Sequence, residues 1–404
     1  RSVAEAEGYD IEGPVKPYDA YDYFRTGVSW KTHASVTSGD NNTSYYISGS
    51  TNHNESPIPE DRWDKSSFRL TASQQLTEDL RLEGSINITD TKGVRIQRGS
   101  NISGVMLGLL RTPPTFDNDY GYVFPDGTQR TFRGGGGYDN PYWTSNRIQY
   151  QDHNTRGISY GELSWDITDW MSLTYRIGFD YWSEFTHYHF AKNSNANPNG
   201  YKEKWNEWNR ELNSDLLLNI SRDLTDDLTL DFTGGHHAYE SWYENSGGNT
   251  VDLIEDEFYD ISNTTDVGAY ENTTKLRRAG IFGDVTLGYQ DMLFLGATGR
   301  FDWSTTMPGD QNPFFYPSVN LGFVFTEMPF MDNISNILTF GKLRASYAIT
   351  ASDAGAYNTV TTFSSGEVFS GWTSYTGFPF LGYSGYDRSA QIGNNQLVPE
   401  KQIT

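Results

Sequence analysis

Cysteine is absent from the 404 residues. That excludes structural disulfides, thiolate metal sites and cysteine nucleophiles, and it leaves the compartment open. No apolar run of about 18 residues occurs, so no transmembrane helix is expected. A membrane is not excluded by that, because a transmembrane strand needs only about 9–11 residues, half of them facing a polar lumen. Positive charge is scarce: 30 Lys and Arg stand against 52 Asp and Glu, a formal net charge of −22. A phosphate-binding surface needs the opposite balance, which argues against nucleic acid as a partner. The first residues, Arg1-Ser2-Val3, carry neither an initiator Met nor a signal peptide, and Gln402-Ile403-Thr404 form no finishing motif. The expectation is a fragment of a longer chain.

What is present is polar and aromatic at once. The apolar fraction is only 36 % and the mean hydropathy −0.63, yet aromatics reach 15 %, with 27 Tyr and 23 Phe. A disordered chain of this polarity would lack those rings. Together with 40 Gly and much Ser, Thr, Asn and Asp, they point to an all-β protein with long polar loops.

Period-two patterning makes this specific. From Met171 to Tyr181 every odd position is apolar and every even one is polar or Gly. That is a strand with one greasy and one wet face. Its length suits a membrane crossing better than a soluble sandwich strand of about 5–6 residues. The pattern recurs at Leu80–Ile88, Leu228–Phe232, Ala279–Tyr289, Leu293–Trp303 and Leu343–Ile349. Near Gly161 the parity slips, with Ile158 and Tyr160 ahead of Leu163 and Trp165. A β-bulge there is expected.

About twelve strands are expected in all, near 32–39, 44–52, 66–75, 80–90, 156–166, 171–181, 209–221, 228–236, 276–289, 292–302, 315–325 and 341–349. The links alternate in length. Those at 40–43, 76–79, 167–170, 222–227, 290–291 and 326–340 are mostly tight; those at 53–65, 91–155, 182–208, 237–275, 303–314 and 350–397 are mostly long. Short turns on one rim and long loops on the other are the arrangement of a transmembrane antiparallel β-barrel.

Aromatics crowd the predicted long loops: Tyr120, Tyr122, Tyr142, Trp143, Trp182, Trp205, Trp208, Tyr239, Trp242, Tyr243, Trp372 and Tyr375. Ten of these, all but Tyr142 and Trp182, are candidates for holding a substrate at the extracellular mouth. The competing explanation is a girdle at the membrane interface plus loop packing; Trp182 and Trp303, at strand ends, fit a girdle best. Arg176, Asp180, Asp284, Arg300, Asp302 and Arg344 fall on wet faces and are expected to point into the lumen, along a transport path or paired with one another.

No metal or cofactor is expected. Adjacent strand residues point to opposite faces, so His236 and His237 cannot easily share an ion. The acidic groups Asp117, Asp119 and Asp126, and Asp252, Glu255, Asp256 and Glu257, lack full EF-hand spacing and read as solvated acid. Gly134–Gly137 precede no Lys-Ser/Thr and read as a flexible loop, not a phosphate cradle. No Ser-His-Asp or glycosidase arrangement stands out, so no enzyme is indicated.

The ordered motifs of the chain resemble those of SusC/RagA-type TonB-linked transporters. They are Tyr23-Phe24-Arg25-Thr26-Gly27, with His33, Ser35, Val36, Ser38-Gly39, Tyr45-Tyr46 and Ser48, then Asp169-Trp170-Met171-Ser172-Leu173, Arg300-Phe301-Asp302, Tyr316-Pro317-Ser318, Lys342-Leu343-Arg344-Ala345-Ser346-Tyr347 and Leu397-Val398-Pro399-Glu400. The chain departs from that pattern at Ala348, Ala351-Ser352, Trp303 and Phe323. The resemblance implies a barrel of about 22 strands, of which this sequence would supply part. It implies a plug that precedes the barrel, a TonB complex that supplies energy, and a SusD-like surface lipoprotein over the mouth. It also implies an oligomeric glycan or peptide as substrate. Residues 1–31 would lead into the barrel and 32–404 would form its wall in outer-membrane lipid. Residues 1–404 alone are expected not to close. A structural or interaction barrel using its extracellular loops, and a secreted carbohydrate-binding β protein, are the alternative readings.

Overall fold

The computed structural model describes residues 17–99, 101–133, 137–334, 337–365, 367–368 and 376–404. Trp372, Tyr375 and Gly134–Gly136 lie outside the described residues.

Twelve strands form an uninterrupted antiparallel meander: β1 (Val28–Gly39), β2 (Thr43–Glu55), β3 (Arg62–Gln75), β4 (Leu80–Arg95), β5 (Ile148–Thr168), β6 (Met171–Phe190), β7 (Tyr201–Thr225), β8 (Leu228–Val251), β9 (Val267–Tyr289), β10 (Leu293–Ser304), β11 (Phe314–Val324) and β12 (Lys342–Ser352). Two small hairpins follow, β13 (Phe363–Ser365) with β16 (Tyr386–Arg388) and β14 (Glu367–Val368) with β15 (Thr376–Gly377). β17 (Glu400–Ile403) then pairs with β12 as the thirteenth member of the sheet. No helix among the described residues is long and apolar enough to cross a membrane.

The register sorts side chains into two faces. Val36, Ile47, Leu70, Ile86, Ser159, Phe179 and Leu212 are successive Cα partners across β1 to β7. Phe232, Val285, Ala297, Val319 and Tyr347 continue the apolar face across β8 to β12. Most of these side chains are exposed, among them Ile86, Phe179, Leu212, Val319 and Tyr347. A sheet that presents a continuous apolar face outward is solvated by lipid, not water. The other face is polar: Glu83, Glu162, Arg176, Asp215 and His237 are successive partners from β4 to β8. This is the lumen side.

Three expectations need correction. The strands on the long-link side run much further than the hydrophobic pattern, with 21, 20, 25, 24 and 23 residues in β5 to β9. A crossing takes about 9–11, so their upper halves stand outside the bilayer. The true links there are 96–147, 191–200 and 252–266. Outside lipid nothing selects an apolar face, so the pairing continues through Trp, Tyr, Thr and Glu while the alternation fades. Second, no bulge occurs at Gly161, which pairs in register with Gly84 and Ile177. Ile158 and Tyr160 simply face the lumen, where the Tyr160 hydroxyl donates to Glu83 at 2.6 Å. The irregularities lie at the short-turn rim, between Asp166 and Thr168 and between Asp223 and Thr225. Third, the wall begins at Val28, a little before position 32.

Most of the buried apolar residues lie in the long links or at the strand ends beside them, not in the middle of the sheet. In the 96–147 link, helix α1 (Val105–Arg111) buries Val105 and Leu109 against Tyr23 and Ile96. Helix α2 (Pro141–Arg147) starts on Asn140, whose side chain accepts from the Tyr142 N–H, and it buries Trp143 with Ile148, Phe190 and Ala191. Buried Asp139 ties this link to the next one: it accepts from Ser103 Oγ at 2.5 Å, Gln129 Nε2 at 2.8 Å and the Asn195 N–H at 2.8 Å.

Candidate functional site

Above the membrane-crossing part, the lumen face of β7 reads Tyr201, Glu203, Trp205, Glu207, Asn209 and Glu211, alternate residues of one strand. Period two alone brings them to one face, because each strand residue points opposite to its neighbour. They form a comb of rings and carboxylates. Tyr201 Oη donates to Glu203 Oε2 at 2.8 Å, and Tyr270 Oη, from β9, to Glu203 Oε1 at 3.2 Å. Trp205 Nε1 donates to Glu207 Oε1 at 2.8 Å, and Tyr243 Oη, from β8, to Glu207 Oε2 at 3.0 Å. Asn209 Nδ2 donates to Glu211 Oε1 at 2.9 Å. Tyr150 of β5 bridges Tyr188 and Trp205, each ring centroid 5.8 Å away, and Trp182 lies 6.3 Å from Tyr243. The carboxylates are held in place by aromatic donors and keep lone pairs for further donors. Rigid ring faces beside fixed acceptors suit a hydroxyl-rich or amide-rich ligand.

The candidate aromatics therefore divide by parity. Trp205, Tyr239 and Tyr243 lie on the lumen wall, as does Trp182, whose partners Arg156 and Asn209 exclude the girdle position expected for it. Trp208 and Trp242 point outward with Leu212 and Ala238, their centroids 5.3 Å apart. Lys275 Nζ sits 3.5 Å from the Trp242 centroid and the Arg210 guanidinium 5.1 Å from it. These two tryptophans stand within strands, on the outward face. Trp303, paired with Ala279, also faces outward. Trp143 is only 1 % exposed and its Nε1 donates to Ser194 Oγ at 2.9 Å, so it is core to the folded link. Tyr122 packs on the same core, while Tyr120 is 68 % exposed. Tyr150, Tyr188, Tyr201 and Tyr270 escaped sequence reasoning. Carrying the odd-even parity of Asp215 or Asp180 up each strand would have found Tyr201 and Tyr188.

The six lumen charges all lie on the polar face, most of them in pairs. Arg176 Nε donates to Glu162 at 2.6 Å, Arg156 Nε to Asp180 at 3.0 Å, Thr298 Oγ1 to Asp284 at 2.5 Å, and Arg300 Nε to Asp302 at 2.8 Å. Arg344, opposite Gly322, has no ion pair among the described residues. At the upper rim Asp353 accepts from Arg278, Ser304 and Thr306. Burial pushes its carboxyl up, but these donors outweigh burial and hold it below the ordinary carboxylate range.

His236 faces outward beside Ile281, while His237 meets Asp215 at 2.6 Å on the lumen side. Asp126 closes its own turn: the Thr128 hydroxyl and N–H hold its carboxyl below the usual range. Among the described residues no group of three or more His, Asp or Glu has metal-holding geometry.

No family model matches the chain. The curated TonB-dependent receptor P3 of Formosa agariphila is 22 % identical over 377 residues, which is 90 % of this chain and 37 % of that protein. The RagAB peptide importer in its closed-closed state matches with a TM-score of 0.77 at 17 % identity, covering 96 % of this chain and 43 % of that one. Its open-open state gives 0.79 at 16 % identity, over 99 % and 45 %. The ferripyoverdine receptor of the outer membrane of Pseudomonas aeruginosa gives 0.54 at 11 % identity, over 82 % and 42 %. The chain thus spans less than half the length of these relatives. At such identities the likeness is one of fold. The sheet has the fold of a stretch of wall from the outer-membrane barrels it matches, and the resemblance to SusC/RagA-type transporters stands. The proteins it resembles are transporters and receptors, not enzymes.

Proposed function

We propose that the whole protein imports an oligomeric nutrient, a glycan or a peptide, across the outer membrane, with energy delivered through TonB. A plug precedes the wall, and the residues ahead of Val28 lead into it. A SusD-like lipoprotein closes the extracellular mouth. The role is passage, not catalysis.

The observation that carries this reading is the β7 comb of Tyr201, Glu203, Trp205, Glu207, Asn209 and Glu211, which rises on the lumen side from the headgroup level toward the long-link rim. A scaffold barrel has no need of fixed acceptors beside ring faces there. Below the comb the paired charges leave a hydrated, weakly charged path. Capture at the comb, release of the plug and diffusion down that path give one direction of transport when the lipoprotein closes behind the ligand.

The experiment uses the full-length protein in cells. Uptake of labelled oligomer should require both the protein and a functional TonB system, and an affinity tag on the protein should bring down a surface lipoprotein. Uptake that persists without TonB would contradict the reading.

A further inference from the structure

The outward face of β7 to β10 carries a feature that transport does not use. Successive partners Ser214, Ala238, Ala279 and Trp303 cross the upper edge of the apolar band. The three small residues lie between Leu212 and the Trp303 indole, and they floor a groove of about 580 Å³. The groove is largely apolar and continuous with the lipid-facing surface beneath it.

One row above the floor the face turns cationic. Leu212, Glu240 and Arg277 are partners, and above them Arg210, Trp242 and Lys275. Glu240 accepts from Arg210 Nη2 at 2.9 Å and from Arg277 Nε at 2.6 Å. One carboxylate thus aligns two guanidinium groups, and Lys275 over Trp242 adds a third cation. Three cations against one acid is the reverse of the chain as a whole, which has 52 acids and 30 bases. The Arg277 side chain is 70 % exposed with only its Nε engaged by Glu240, so the rest of its fork faces outward. At this height the surroundings are lipid headgroups. Fork-shaped donors fixed beside an ammonium match phosphate oxygens.

We propose that this groove binds one outer-leaflet glycolipid with a phosphorylated headgroup. Its phosphate sits on Arg210, Arg277 and Lys275, and an acyl chain runs down over Ala238 and Ala279 beneath Trp303. The order of the two parts is set by the fold: cations toward the long-link rim, apolar floor toward the bilayer centre. The site is on the opposite face from the β7 comb, so it stands whether or not the protein imports anything.

The test is binding of bis-phosphorylated lipid A to the detergent-purified full-length protein, with its dephosphorylated form as comparison. The paired substitution Arg277→Gln with Lys275→Gln should weaken binding roughly tenfold or more. Ala279→Leu, which fills the floor and leaves every charge, should weaken it too. Heat-modifiable migration confirms that each variant is folded, and Thr174→Ser on the lumen side serves as a neutral control. Equal affinity for the dephosphorylated form would overturn the proposal, as would wild-type affinity in both variants.

Discussion

The Asp353 carboxylate accepts both Nε and Nη2 of Arg278, at 2.8 and 2.7 Å, across 75 residues of sequence. Ser304 Oγ and Thr306 Oγ1 complete its shell at 2.6 and 2.9 Å. This single acid fastens the segment after β12 to the middle of β9 and the upper end of β10. It is nearly buried, whereas Arg278 is about half exposed, so solvent screens part of the pair.

Asp353→Asn should therefore lower stability by about 1–2 kcal/mol at neutral pH. Because the folded carboxyl titrates below its unfolded value, its contribution is present above the unfolded pKa and is lost as pH falls through the folded one. Urea unfolding of the full-length protein at pH 7 and at successively lower pH should show the gap between wild type and Asp353→Asn closing in the acid range. A gap that widens on acidification would refute the assignment.

Facing can be tested on β6. Leu173, Tyr175, Ile177 and Phe179 share the apolar face, and Thr174, Arg176 and Asp180 the lumen face. Ile177→Arg should cost about 2–4 kcal/mol near the bilayer midplane, and Thr174→Arg much less. A reversible barrel-folding assay on the full-length protein measures both, and equal costs would mean the faces are wrongly assigned.

Residues 1–404 carry no cysteine, so a cysteine introduced among them is the one thiol of this stretch of wall and reports its rim. Single cysteines at Ser262, in the 252–266 link, and at Asp227, in the tight β7–β8 turn, sit on opposite rims. A membrane-impermeant maleimide applied to intact cells should label Ser262→Cys and spare Asp227→Cys. The reverse pattern would invert the barrel.

Sequence reading succeeded where lipid imposes a rule. Between Met171 and Tyr181 every second side chain must be apolar, so strand, face and length are all visible. It failed where the rule lapses. Above the membrane-crossing rows of β6, β7 and β8, Trp182, Trp205, Trp208, Tyr239, Trp242 and Tyr243 look alike in composition and read as loop residues. Only the register separates the lumen rings Trp205 and Tyr243 from the outward rings Trp208 and Trp242. Trp143 was out of reach for another reason: its partner Ser194 is 51 residues away, on a separate link. The supposed bulge at Gly161 came from assuming that Ile158 and Tyr160 must face lipid. A tyrosine with a carboxylate partner on the wet face removes that need.

The most direct measurement compares two double substitutions in the full-length protein, matched in chemistry and opposite in parity. Whole-cell uptake of the oligomer is followed for Trp205→Ala with Tyr243→Ala on the lumen wall, and for Trp208→Ala with Trp242→Ala on the outward face. Loss of one stacking contact is worth about 0.5–1.5 kcal/mol, so two should raise the half-saturating concentration by roughly tenfold. The account predicts that rise for the lumen pair and near-normal uptake, at equal surface abundance, for the outward pair. Impairment by the outward pair alone would contradict it.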